Sequence, residues 1–115
     1  MRWLRSIVGV TLRDRVPNNI VRAQCKAQKM STTVARHQLR YYGHVARMAP
    51  DRLVRQVRYW QPPADWRRPK GRPKLRYFDC IRKNLNKIEI NNFEEADAQA
   101  QDRTSWRAKI HSIKD

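Results

Sequence analysis

Acidic residues are scarce in this chain of 115 residues: ten Asp plus Glu stand against 26 Lys plus Arg, and the net charge is +16. A compact state carrying that charge repels itself. An external polyanion is expected to neutralise it, with nucleic acid ahead of a membrane surface. Cysteine is scarce too. Cys25 and Cys80 make no disulfide framework, no CxxC occurs, and no histidine pair stands at zinc-finger spacing. Neither a disulfide scaffold nor a metal site is therefore expected. Long apolar runs are missing, which excludes a membrane span. The N-terminal stretch Ile7-Val8-Gly9-Val10 is too short for the apolar core of a signal peptide. The chain is expected inside the cell, nuclear or cytoplasmic and not secreted.

Catalytic groupings are lacking as well. Two-metal chemistry needs clustered carboxylates, but Asp14, Asp51, Asp65 and Asp79 each stand alone. No GxSxG and no Walker-type glycine loop is present. His44 with Asp51 is the one imaginable acid–base pair, and a loop or core histidine is the plainer reading. The chain is expected to be no enzyme, with no cofactor and no small-molecule substrate.

What is present is positive charge, unevenly placed. Residues 1–48 hold ten bases and one acid, residues 49–83 eleven bases and three acids, and residues 84–115 five bases and six acids. The binding surface is expected before Asn84, with the remainder structural or partner-facing.

Apolar periodicity predicts an all-α fold of five or six short helices with a small core, and no strand alternation interrupts it. A first helix covers residues 2–12, with Leu4, Ile7, Val8 and Thr11 on one face. Pro17 ends that region, and Asn18 or Asn19 can cap a second helix over about 20–30. A third spans about 31–48, with Ser31 as N-cap; Val34, Tyr41, Val45 and Met48 share its apolar face, and Arg36, Arg40 and Arg47 form a basic flank. Asp51 caps a short helix bearing Leu53, Val57 and Trp60 on one side. Residues 74–90 carry Leu75, Phe78, Ile81, Leu85 and Ile88 at helical spacing. Asn92 caps a last helix, with Glu95 in a capping box and Glu94, Glu95 and Asp97 suiting its N-terminal dipole; Trp106, Ile110 and Ile113 continue its apolar face. The organisation is a basic helical segment 1–60, an extended Pro/Arg/Lys linker 61–73 and a two-helix segment 74–115. With so much charge, autonomous folding is not assured by composition.

The linker holds four of the six prolines and leads into the densest basic run. Arg67, Arg68, Lys70, Arg72, Lys74 and Arg76 surround Gly71. Prolines keep such a backbone extended, so side chains project along a strand of phosphates, and Gly71 permits close approach. These residues, with Arg36, Arg40 and Arg47, are the candidate nucleic-acid contacts. Tyr59, Trp60, Trp66 and Tyr77 offer stacking faces for single-stranded bases, though the helical spacing of Trp60 and Tyr77 favours a place in the core. Lys70-Gly71-Arg72-Pro73 also resembles an AT-hook centre, with Lys70 where that motif has Arg. An AT-hook inserts into the minor groove of A·T-rich duplex, which would make the chain a small architectural DNA-binding protein. A protein–protein module completing a larger enzyme is a further alternative.

Three blocks in order carry a wider resemblance: Gln38-Leu39-Arg40-Tyr41-Tyr42-Gly43-His44-Val45-Ala46-Arg47-Met48 with Asp51-Arg52-Leu53; Arg68-Pro69-Lys70-Gly71-Arg72-Pro73-Lys74 with Arg76-Tyr77-Phe78-Asp79; and Ala100-Gln101-Asp102-Arg103 with Trp106-Arg107. Upstream, Arg13-Asp14-Arg15-Val16 with Asn18 also fits. In this order they resemble the C-terminal region of reverse transcriptases encoded by LINE-type (non-LTR) retrotransposons. The resemblance implies the part after the polymerase, helping to hold template RNA or target DNA, with the rest of a reverse transcriptase as partner. That family's polymerase carboxylates lie in an aromatic-x-Asp-Asp motif upstream of this region. No Asp-Asp pair occurs here, so no catalytic residue carries over.

Overall fold

Helix ends come early in this chain. The computed structural model describes residues 1–114, and among them there are seven helices and no strand: α1 Arg2–Val8, α2 Asn18–Gln24, α3 Met30–Ala46, α4 Leu53–Tyr59, α5 Tyr77–Asn86, α6 Phe93–Ala100 and α7 Arg103–Ser112. The all-α expectation holds, with seven helices in place of five or six. No helix among the described residues is long and apolar enough to cross a membrane.

Three of the differences from the periodicity share one cause at helix C-termini. α1 stops at Val8 because Gly9 turns to φ +76°, which lets the Val10 N–H reach the Arg5 carbonyl at 3.0 Å and the Gly9 N–H reach Ser6 at 3.2 Å. That bond pair is a Schellman motif. α2 stops in the same way around Lys26 at φ +51°, with the Ala27 N–H on the Arg22 carbonyl at 2.8 Å. α5 ends at Asn86, not near 90, because Glu89 takes φ +61° and the Ile90 N–H folds back onto the Leu85 carbonyl at 3.1 Å. Ile90 and Leu85 are then both buried. A side chain in the left-handed region costs about 1–2 kcal/mol, and glycine relieves it at some cost in unfolded-chain entropy. Glu89→Gly is therefore expected to stabilise the fold by about 0.5–1 kcal/mol, read as a higher midpoint in thermal circular dichroism. A lower midpoint would show that backbone freedom outweighs the relieved strain.

The chain forms two compact units, residues 1–34 and 35–114. In the first, the buried Arg5 organises the connection between α1 and α2. Its guanidinium donates to the Val16 carbonyl at 2.8 Å and to Asn18 Oδ1 at 2.7 Å. Asn18 thus serves Arg5 and not as the N-cap of α2, a place taken by Pro17 without a side-chain bond. The Asp14 carboxylate accepts from the Thr11 N–H and hydroxyl, which holds its pKa below the usual carboxylate value.

The second unit holds the larger core, built from α3, α5, α6 and α7. On α3 the buried face is Ala35, Leu39, Tyr42, Val45 and Ala46. The expected face through Val34 and Tyr41 is rotated from this one, and both of those residues are exposed. The small residues Ala35 and Ala46 made the true face weak in hydropathy, yet they let neighbouring elements come close. Trp106 of α7 lies on this face and donates its indole N–H to the Leu39 carbonyl at 2.9 Å. A Cβ on Gly43 would stand 2.3 Å from Trp106 Nε1, so glycine is required there in mid-helix. From α5, Ile81 and Leu85 complete the core, and the buried Asn84 donates to Gln38 Oε1 at 2.6 Å.

The expected single helix after Asn92 is two. Asn92 caps α6, accepting from the Glu94 N–H at 3.2 Å, and Asp102 caps α7, accepting from the Thr104 N–H at 3.0 Å. The second cap starts a new helix, because an Asp side chain competes well for backbone N–H groups at an N-terminus. Glu95 forms no capping box; its carboxylate accepts from Gln99 one turn on.

Candidate nucleic-acid interface

Residues 61–76 are exposed throughout and form neither helix nor strand. Together they form an exposed segment. Its middle is closed at the base: the Arg76 guanidinium stacks over the Trp66 ring at 5.0 Å, and the Trp66 N–H donates to the Pro63 carbonyl at 3.0 Å. Between Trp66 and Arg76 stand Arg67, Arg68, Lys70, Arg72 and Lys74, and among the described residues none of the five has a carboxylate within ion-pairing distance. Gly71 sits at φ +112° with open space where a Cβ would be. The Arg76 N–H donates to the Asp79 carboxylate at 3.1 Å and so fixes the start of α5.

Trp60 and Tyr77, expected in the core, are exposed, Trp60 to 65%. The reason lies in α4, which buries no apolar side chain of its own. Its apolar side is open to solvent, with Leu53 at 72% exposure. Cations hold the helix in place. Arg55 donates to the Met48 carbonyl, and Arg58 forms an ion pair with Asp97 of α6. The Arg58 side chain is 6% exposed and lies over the rings of Tyr42 and Tyr59, 4.3 and 4.7 Å from their centroids. Both tyrosine hydroxyls donate to Asp97, at 2.6 Å from Tyr42 and 2.9 Å from Tyr59. Burial, then the bond to Asp97, pushes the Tyr42 hydroxyl pKa well above its ordinary value. Asp97 thus serves an ion pair and not the α6 dipole alone.

The three candidate bases expected on the third helix divide, with Arg47 in the turn just after α3. Arg36 donates to the His111 carbonyl at 3.2 Å and also to the Ile113 carbonyl, tying down the end of α7. Arg47 donates to the Ala100 carbonyl at 2.6 Å, capping the end of α6. Both satisfy carbonyls that a helix C-terminus leaves open. Arg40 is exposed and joins a groove of about 650 Å³ between α3 and α7. His37, Tyr41, His44 and Arg47 share the α3 wall with it; Arg103, Arg107 and His111 form the other wall, and Trp106 and Ile110 also line it. All three histidines of the chain are here, and no acid among the described residues lines the groove. Arg103 and Arg107 lie beyond Asn84, in the segment from which basic contacts were not expected. The signal was present: the two stand four residues apart on one helical face, and His37, Arg40, Tyr41 and His44 follow helical spacing on another. Average charge over a segment hides such a face.

Both cysteines are free, and no group of three or more His, Cys, Asp or Glu among the described residues is placed to hold a metal ion. No protein-family model matches this chain, and no solved structure matches it either. Over 112 aligned positions it is 27% identical to an uncharacterised transposon-derived protein of Caenorhabditis elegans, an alignment that covers 92% of this chain. The chain spans 40% of that relative's length. Its sequence similarity is thus to a transposon-derived protein, and the likeness extends over nearly all of its residues.

Proposed function

We propose that this chain is a nucleic-acid-binding region of a LINE-like reverse transcriptase, lying after the polymerase and gripping template RNA or target DNA without catalysing a step itself. The observation that carries this reading is the exposed loop between Trp66 and Arg76, in which five bases stand without ion-pair partners among the described residues. An unpaired, extended row of cations binds phosphates and releases counterions. Similarity to a transposon-derived protein agrees with it, as does the order of the three sequence blocks.

The test is a binding titration against single-stranded RNA, duplex DNA and an RNA–DNA hybrid at several salt concentrations. Affinity is expected to fall steeply with salt. Replacing Arg67, Arg68, Lys70, Arg72 and Lys74 by Gln should weaken binding more than tenfold and reduce the slope of log affinity against log salt by about 3.5 on single strands and about 4.5 on duplex DNA. Weak, salt-insensitive binding to all three would overturn the reading in favour of a protein–protein module.

Gly71 supports a second reading, a minor-groove hook, since its positive φ and open surroundings suit close backbone approach. Arg72→Ala separates the two. A hook loses A·T preference, whereas general phosphate contact weakens A·T and G·C duplexes alike.

A further inference from the structure

We propose that the groove between α3 and α7 is a second phosphate-binding site, which takes a short stretch of single-stranded polynucleotide. The inference rests on the nucleic-acid reading above and adds to it a site that the basic loop does not contain.

Three observations converge. First, charge in the groove is of one sign among the described residues: Arg40 faces it from α3, Arg47 from the turn just after α3, Arg103 and Arg107 from α7, and no carboxylate among them lines it. Among the described residues Arg40, Arg103 and Arg107 have no ion-pair partner. Guanidinium groups converging from two walls suit a phosphodiester, which they bind in bidentate fashion. Second, the walls offer rings as well as charge. Tyr41 is 52% exposed, and its ring lies 6.4 Å from that of His44. Exposed rings beside cations are what unpaired bases stack on. Third, the walls are built to stay. Arg36 and Arg47, the two bases that cap helix ends, tie α3 to the ends of α7 and α6, and the Trp106 indole ties α7 to the backbone of α3. The α3 wall runs from His37 to Arg47, about 15 Å of helix. Such a concave site accepts a single strand with its bases splayed, where a paired duplex presents only its outer backbone.

The imidazoles of His37, His44 and His111 report on the groove directly, since no other histidine exists in the chain. The experiment follows their NMR resonances while octamers of uridine and of thymidine are added to the full chain. All three are expected to shift together and saturate with the oligonucleotide; the two octamers tell whether the sugar matters. The exposed pair Arg40→Gln with Arg107→Gln should lower octamer affinity about tenfold or more and reduce the salt slope by about 1.4, with circular dichroism unchanged. The chain lacking the five loop bases should keep the imidazole shifts. Silent imidazoles in a chain whose loop resonances move, or a double variant that binds like the parent, would overturn the groove and leave the loop reading standing. A parent chain that binds no polynucleotide at all would overturn both.

Discussion

Asp97→Asn is expected to destabilise residues 35–114 by about 3 kcal/mol, a large share of what holds a small domain together. The substitution keeps the side chain's shape and one acceptor oxygen, enough for one of the two tyrosine hydroxyls, which now donate to different carboxylate oxygens. It removes the charge that faces Arg58, whose side chain is almost fully buried. Desolvating a guanidinium without an anion is the dominant cost. Asp97 is itself one-quarter exposed, which places the effect at the lower end of the usual 3–5 kcal/mol for breaking a buried pair. Urea unfolding measures it. Replacing both partners, Arg58→Met with Asp97→Leu, should recover at least half of the loss, because no lone charge then remains buried. A loss under about 1 kcal/mol for Asp97→Asn would mean that the pair behaves as a surface contact. The ion pair is also what holds α4 to the core, since α4 buries no apolar side chain. Amide exchange in α4 should therefore accelerate in Asp97→Asn more than exchange in α5.

Trp106→Ala should cost still more, about 3–5 kcal/mol, the usual range for emptying a large aromatic site in a core. The indole fills the space over Gly43, packs 6.0 Å from the Tyr42 ring and bonds the Leu39 carbonyl. The same contact predicts an unusual result at Gly43. Alanine in mid-helix ordinarily stabilises by about 1 kcal/mol over glycine. Here its Cβ would lie 2.3 Å from Trp106 Nε1, and overpacking of that kind costs about 1–3 kcal/mol. Gly43→Ala is thus expected to destabilise in the parent chain and to stabilise once Trp106 is alanine. This change of sign is read from four denaturation curves as a double-mutant cycle. Additive effects would show that Trp106 does not rest on Gly43.

The basic loop was legible because its physics is local. Prolines and repeated cations keep residues 61–76 out of a core whatever the rest of the chain does, and the structure leaves them exposed. The α3–α7 groove was not legible in this way. Its two faces each follow helical spacing, but they belong to segments more than fifty residues apart, and only packing brings them together. The roles of Arg36 and Arg47 were hidden for the same reason: the carbonyls they bind are those of Ile113 and Ala100, remote in sequence.

Apolar spacing, prolines and capping side chains determined by themselves that this chain is helical, where most helices lie, and that residues 61–76 stay outside the core. Such signals act over a few residues, within the reach of one helical turn. Tertiary structure alone decided which face of α3 is buried, that α4 is anchored by Arg58 on Asp97 with its apolar side left open, and that Trp106 requires glycine at position 43. Each of these depends on close packing or charge pairing between distant segments, where small residues and single ion pairs decide between alternatives that hydropathy along the chain leaves equal.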